Sequence, residues 1–251
     1  MAEGDCKPCT ELRTVPGTTT VPQRVPWGVM PAAGTVVCWQ FFQMTAGGLL
    51  GARPGALGPQ LAAVAISDAA TIALVWALVG LWPGKRGRVS DLIGFRTLSW
   101  PAIRRSFKVV AAGTAAYAMV WVVLLVVLSR LGKSMPAQPL ADLVRQEHSA
   151  ALVVYAFIVG AVIAPITEEM IFRSLLYLPL RARFGVVPAA LAVSAFFALV
   201  HLYPWGVPQL VVLSLMFVGL FESTGTLWAP IAAHGLYNGL MMLALRSMAA
   251  R

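Results

Sequence analysis

Runs of about 20 apolar residues constrain this chain most, because that is the length a helix needs to cross roughly 30 Å of hydrocarbon. Such runs cover 27–50, 60–82, 109–131, a stretch beginning near 149, then 186–203, 207–222 and 227–246. In lipid every backbone N–H and C=O must be satisfied internally, so consecutive runs of this length mean helices. The sequence predicts an all-α, polytopic transmembrane helical bundle of about seven or eight spans. Composition agrees, with 59% of the 251 residues hydrophobic and 12% charged, values that exclude an ordinary soluble domain.

The net charge of +9 does not point to nucleic acid, because the basic residues are gathered between spans. Lys85, Arg86, Arg88, Arg96, Arg104, Arg105 and Lys108 share the loop 84–108 with only Asp91 against them. That cluster reads as a cytoplasmic loop beside anionic lipid. Leu92, Ile93, Phe95, Leu98, Trp100, Ile103 and Phe107 are interleaved with it, so the loop is either a broken amphipathic segment on the membrane surface or an ordinary charged loop. With the N-terminus inside, twelve Lys and Arg fall on the inner side and six on the outer, Arg173 being set aside as intramembrane. The expected topology is therefore multi-pass with a cytoplasmic N-terminus.

The chain divides into a polar tail over 1–26, three spans over 27–148, and a region over 149–246 that holds most of the intramembrane polar residues. The tail lacks the basic-then-apolar opening of a secretory signal. Its Cys6 and Cys9 have the spacing of half a zinc site without a second pair, and Cys38 in the first span is expected to be a small packing residue.

The run Ala164-Pro165-Ile166-Thr167-Glu168-Glu169-Met170-Ile171-Phe172-Arg173 sets three ionisable groups among apolar flanks. In hydrocarbon such groups mark a functional site unless they are paired or face a polar cavity. Glu169 and Arg173 stand at i and i+4 and can pair, which leaves Glu168 about 100° round the helix and free for another neighbour. One helix from 149 to 183 would be about 52 Å long, so the sequence predicts a break at Pro165 followed by a tilted or re-entrant helix. Thr167 would cap it and both glutamates would lie in its first turn, at the positive end of the dipole. Asp68 is the other acid inside a span, expected near enough to a helix end to be hydrated and to play a structural role. Glu222, at a span's end, is expected to be interfacial.

Two of the three histidines, His201 and His234, lie in apolar spans, and His234 shares a helix face with Asn238. Gly235 and Gly239 on that span would let a neighbouring backbone come close to both. A carboxylate and an imidazole can hold and deprotonate a water while a second histidine and an amide stabilise an oxyanion. Alternatively, Glu168, His201 and His234 could hold zinc with water in the fourth position.

Glu168-Glu169-(three residues)-Arg173, then Phe197-(three)-His201, then His234-(three)-Asn238, with Phe172 and Leu227-Trp228-Ala229-Pro230 around them, resembles the CPBP family. That family holds the CAAX-prenyl endopeptidases and the bacterial Abi or bacteriocin-processing homologues. The resemblance covers roughly 149–246 and implies an intramembrane endopeptidase acting on a membrane-associated protein or peptide, here expected in a bacterial plasma membrane. It implies that Glu168 activates water with His201, that His234 and Asn238 stabilise the oxyanion, and that Glu169, Arg173 and Phe197 support the site. Members of this kind are labelled metalloproteases, although the better-understood ones look metal-independent, so no cofactor is favoured and zinc is the alternative. A membrane immunity or interaction protein that keeps the fold without the activity is the other reading. An ion or proton carrier fits less well, because the ionisable residues are concentrated in one half.

Overall fold

The computed structural model describes Val21 and residues 25–49, 56–83, 87–134 and 139–249. Cys6, Cys9, Arg53, Lys85, Arg86 and most of the tail lie outside these. Among the described residues the chain is helical and has no strand. The long helices are α1 (Val29–Leu49), α2 (Leu57–Leu81), α4 (Trp100–Arg130), α9 (Val186–Val200), α10 (Val207–Thr224) and α11 (Trp228–Ala249). Short helices α3 (Val89–Ile93) and α5 (Pro139–Gln146) link them. Between α5 and α9 runs one helical rod made of α6 (Ala150–Ile158), a π stretch over Val159–Ile163, α7 (Ala164–Glu169), a second π stretch over Met170–Tyr177, and α8 (Leu178–Phe184). By length and composition four helices can cross a membrane: Leu57–Leu81, Trp100–Arg130, Ala150–Phe184 and Pro204–Thr224. The 15-residue Val186–Val200 is apolar but shorter.

The rod corrects the expected break. The backbone stays helical through Pro165, and Thr167 caps nothing; its hydroxyl donates to Ile163 O at 3.2 Å within the helix. The two glutamates therefore sit mid-helix, away from any helix N-terminus. Proline has no N–H and crowds the carbonyl of residue i−4, here Ala161. The helix answers by widening, and α11 covers the carbonyls left over. Asn238 Nδ2 donates to Gly160 O at 2.8 Å. Gly235 receives Ala161 O so closely that a Cβ there would lie 2.3 Å from it. The small residues of α11 thus admit a neighbouring backbone, as their spacing predicts.

The basic loop behaves differently from either expectation. Residues from Trp100 onward already belong to α4, whose 31 residues make a rod of about 46 Å, so the Arg104–Lys108 turns lie at its end rather than in a loop. The preceding segment is tucked into protein. Ile93 is fully buried, Ser174 Oγ donates to its carbonyl, Leu227 N donates to Gly94 O at 2.9 Å, and Thr226 Oγ1 donates to Arg96 O at 2.7 Å. Cys38 points outward rather than into the packing.

The principal core gathers α1, α2, α3, the second π stretch, α9 and α10 around Phe172, Tyr177, Phe197 and Phe221. At one edge Glu222 accepts from Tyr177 Oη at 2.9 Å and from Arg181 Nη2 at 3.1 Å, and forms an ion pair with Arg181 Nε at 2.7 Å, with its side chain 22% exposed. A charge-assisted hydrogen bond at a helix end suits the interfacial position expected for Glu222.

Candidate active site

Arg173 is fully buried, and two of its three guanidinium nitrogens have polar partners. Nε lies 2.9 Å from Glu169 Oε2, and Nη2 donates to the carbonyl and hydroxyl of Ser214 on α10 at 3.3 and 3.1 Å. The rings of Phe197 and Phe217 cover the guanidinium at 5.0 and 5.3 Å. The i, i+4 pair is as the spacing predicts. Ser214 and Phe217 carry no local signal in the sequence that would have singled them out.

Glu169 has a second task. Its Oε1 accepts from His234 Nδ1 at 2.9 Å. A carboxylate accepts only, so Nδ1 carries the hydrogen and Nε2 is the nitrogen turned toward Glu168. His234 also stacks on Phe217, 4.7 Å between centroids and 21° between planes. Arg173, Glu169 and His234 form a chain of contacts that orients one imidazole by way of a neutralised carboxylate.

His201 is held in a parallel manner by other means. It closes the short α9, its Nδ1 donates to Phe197 O at 2.6 Å, and its ring lies 4.5 Å from that of Phe197. The carbonyl fixes the same tautomer, so Nε2 again faces inward. The chain turns sharply straight after it: Leu202 has φ 50°, the one non-glycine residue in the left-handed region among the described residues. Phe197 thus supports the site with its backbone as well as its ring. Because α9 has only 15 residues, His201 ends its helix while His234 is one turn and a half inside α11, and the two imidazoles meet at one height.

Between them stands Glu168. Its Oε2 lies 3.7 Å from His201 Nε2 and 3.8 Å from His234 Nε2, and it has no hydrogen-bond partner among the described residues. The residue is only 8% exposed. Those separations exceed a direct hydrogen bond. Asn238 sits one turn beyond His234, but one of its N–H groups is committed to Gly160 O. Glu168, His201 and His234 are brought together; Asn238 lies one turn further along α11 and is held by Gly160 O. Among the described residues no group of three or more His, Cys, Asp or Glu is spaced to hold a metal ion.

Asp68 is neither near a helix end nor hydrated. It is fully buried midway along α2, where Trp39 Nε1 and Gln43 Nε2 of α1 donate to its Oδ1 at 3.0 and 3.2 Å. The donors lie 29 and 25 residues away in sequence, which is why no local pattern revealed them.

No curated protein and no solved structure matches the chain. Residues 150–240 match the family model of the Rce1-like type II CAAX prenyl endopeptidases. That stretch contains Glu168, Glu169, Arg173, Phe197, His201, His234 and Asn238, so the segment that builds the candidate site is similar to the Rce1-like type II CAAX prenyl endopeptidases and is set in an integral membrane protein.

Proposed function

We propose that the chain is an intramembrane endopeptidase that hydrolyses a peptide bond of a membrane-associated protein or peptide with water activated by Glu168. One observation carries the reading: a buried carboxylate oxygen without a hydrogen-bond partner faces two imidazole Nε2 atoms, each fixed from behind through Nδ1. A water between Glu168 Oε2 and His201 Nε2 finds an acceptor for each of its hydrogens. Glu168 takes one proton, the oxygen bonds to the scissile carbonyl carbon, and the C–N bond breaks as that proton passes from Glu168 to the leaving nitrogen. The oxyanion faces His234, which donates from Nε2 in its protonated form with Glu169 balancing the imidazolium charge. The free N–H of Asn238 is the second donor. Burial of Glu168 and His234 strengthens these interactions and limits competition from bulk water.

No metal takes part in this scheme, and Asn238 has a task in it that a zinc site would not give. The basic bias of the loops supports a cytoplasmic N-terminus, and we take the membrane to be a bacterial plasma membrane.

The test is a cleavage assay on purified chain in detergent, with an internally quenched farnesylated peptide ending in a CaaX sequence. Comparative proteomics of membranes with intact chain and with Glu168→Ala supplies a native substrate. Activity should survive exhaustive chelation and fall by about 10²–10⁴-fold in Glu168→Gln. Stoichiometric zinc whose removal abolishes activity and whose return restores it would overturn the metal-independent scheme.

A further inference from the structure

α9 stops at Val200 after 15 residues, and the last four carbonyls of a helix have no partner within it. Three of those four are met by groups beyond α9. Phe197 O accepts from His201 Nδ1, Leu199 O from Leu202 N at 3.1 Å, and Val200 O from Gln40 Nε2 of α1 at 2.6 Å. The last of these bonds spans 160 residues and comes from outside the 150–240 match. A carbonyl only accepts, so the Gln40 amide has to present its nitrogen there. Val200 O belongs to the peptide group that joins Val200 to His201, and Leu202 just beyond is held at φ 50°, a backbone that leucine adopts only where its surroundings impose it. Gln40 thus holds the chain at the point where it leaves the helix and turns.

We propose that Gln40 is a positioning residue of the active site, which acts through His201. The proposal rests on the reading of His201 as the imidazole that shares a water with Glu168. The Nδ1 bond to Phe197 O sets the ring relative to α9, but it does not fix the peptide group from which the residue hangs, because His201 lies past the last helical residue. Gln40 supplies that second point of attachment. Its own helix is anchored on both sides of it: Trp39 and Gln43 donate to Asp68 of α2 at 3.0 and 3.2 Å, and the Trp39 ring meets Phe172 edge-on at 6.1 Å. Phe172 in turn packs at 5.0 Å on Phe197, whose carbonyl orients the imidazole. The distance at stake is the 3.7 Å between His201 Nε2 and Glu168 Oε2. Without the donor from α1, Val200 O loses its partner, and the peptide group rotates toward another and carries the ring away from Glu168.

The experiment compares Gln40→Met, which keeps the length and removes the donor, with Gln40→Asn, which keeps the donor and withdraws it by one carbon. Purified chain in detergent is read by histidine side-chain NMR on nitrogen-labelled protein, by thermal unfolding, and by kcat and KM per folded molecule on whichever peptide the wild type cuts. The histidines are His148, His201 and His234, so His148→Gln and His201→Gln assign the ring resonances. Both Gln40 variants should shift or broaden the His201 resonances, leave those of His234 in place, and lose about tenfold to a hundredfold in kcat with KM held. In a His201→Gln background, Gln40→Met should cost no more than about twofold further, since the residue through which it acts is already gone. Unchanged His201 resonances, wild-type kcat in Gln40→Met, or the same loss in both backgrounds would overturn the proposal, as would a loss that vanishes when counted per folded molecule. If Gln40→Met does not fold, Gln40→Asn decides by the same readouts. The NMR outcome needs no cleavage, so failure of the Gln40 role is read separately from failure of the proposed activity; wild-type kcat in His201→Gln would instead sink the reading of His201 on which this one stands.

Discussion

Replacing Arg173 by alanine tests the structural half of the site. The guanidinium is fully buried, bonded to Glu169, hydrogen-bonded to Ser214 and held between Phe197 and Phe217. Arg173→Ala leaves the Glu169 carboxylate, which is also fully buried, with only the His234 N–H to meet its charge. Breaking a buried pair from one side costs about 3–5 kcal/mol, because the remaining charge stays desolvated without its partner. For a chain of this size each kcal/mol is worth about 2–4 °C, so the midpoint of thermal unfolding in detergent should fall by about 6–20 °C. Fluorescence-detected size exclusion after a heating series reads this directly. The double variant Glu169→Gln, Arg173→Met removes both charges at similar volume and should regain part of the loss. A midpoint within about 2 °C of wild type in Arg173→Ala would refute the claim that this pair is desolvated and structurally required.

Two further outcomes follow from the seam between α11 and the rod. Gly235→Ala puts a Cβ 2.3 Å from Ala161 O, whereas Gly239→Ala meets only the Ala161 side chain at an ordinary 3.7 Å. The first should move α11, part His234 from Glu169 and lower both activity and folded yield, and the second should resemble wild type; equal behaviour of the two would show that the seam does not set the position of His234. Asn238→Ala strips the donor from Gly160 O and should cost about 1–3 kcal/mol of stability besides its effect on kcat, as read by thermal unfolding. An unchanged midpoint would mean that the carbonyl freed beside Pro165 finds another partner.

The helices themselves were legible in the sequence, because the requirement for a lipid-crossing segment is local: enough consecutive apolar residues and a backbone bonded to itself. So was the Glu169–Arg173 pair, since i and i+4 meet on any helix. The order of glutamates and histidines on successive spans pointed to the candidate site where Glu168, His201 and His234 meet, although no single motif did. What escaped the sequence depends on neighbours far along the chain. Proline at 165 predicts a break when read locally, but the carbonyls it disturbs are met by Gly235 and Asn238 of α11, 70 or more residues later. A carboxylate at 68 cannot be told from a hydrated one until α1 packs Trp39 and Gln43 against it. The link from Glu169 to His234 spans 65 residues. Local sequence sets which segments become helices, because their hydrogen bonds close within a few residues; which polar group meets which is decided only when those helices pack, because there each buried donor and acceptor must find its partner on another element.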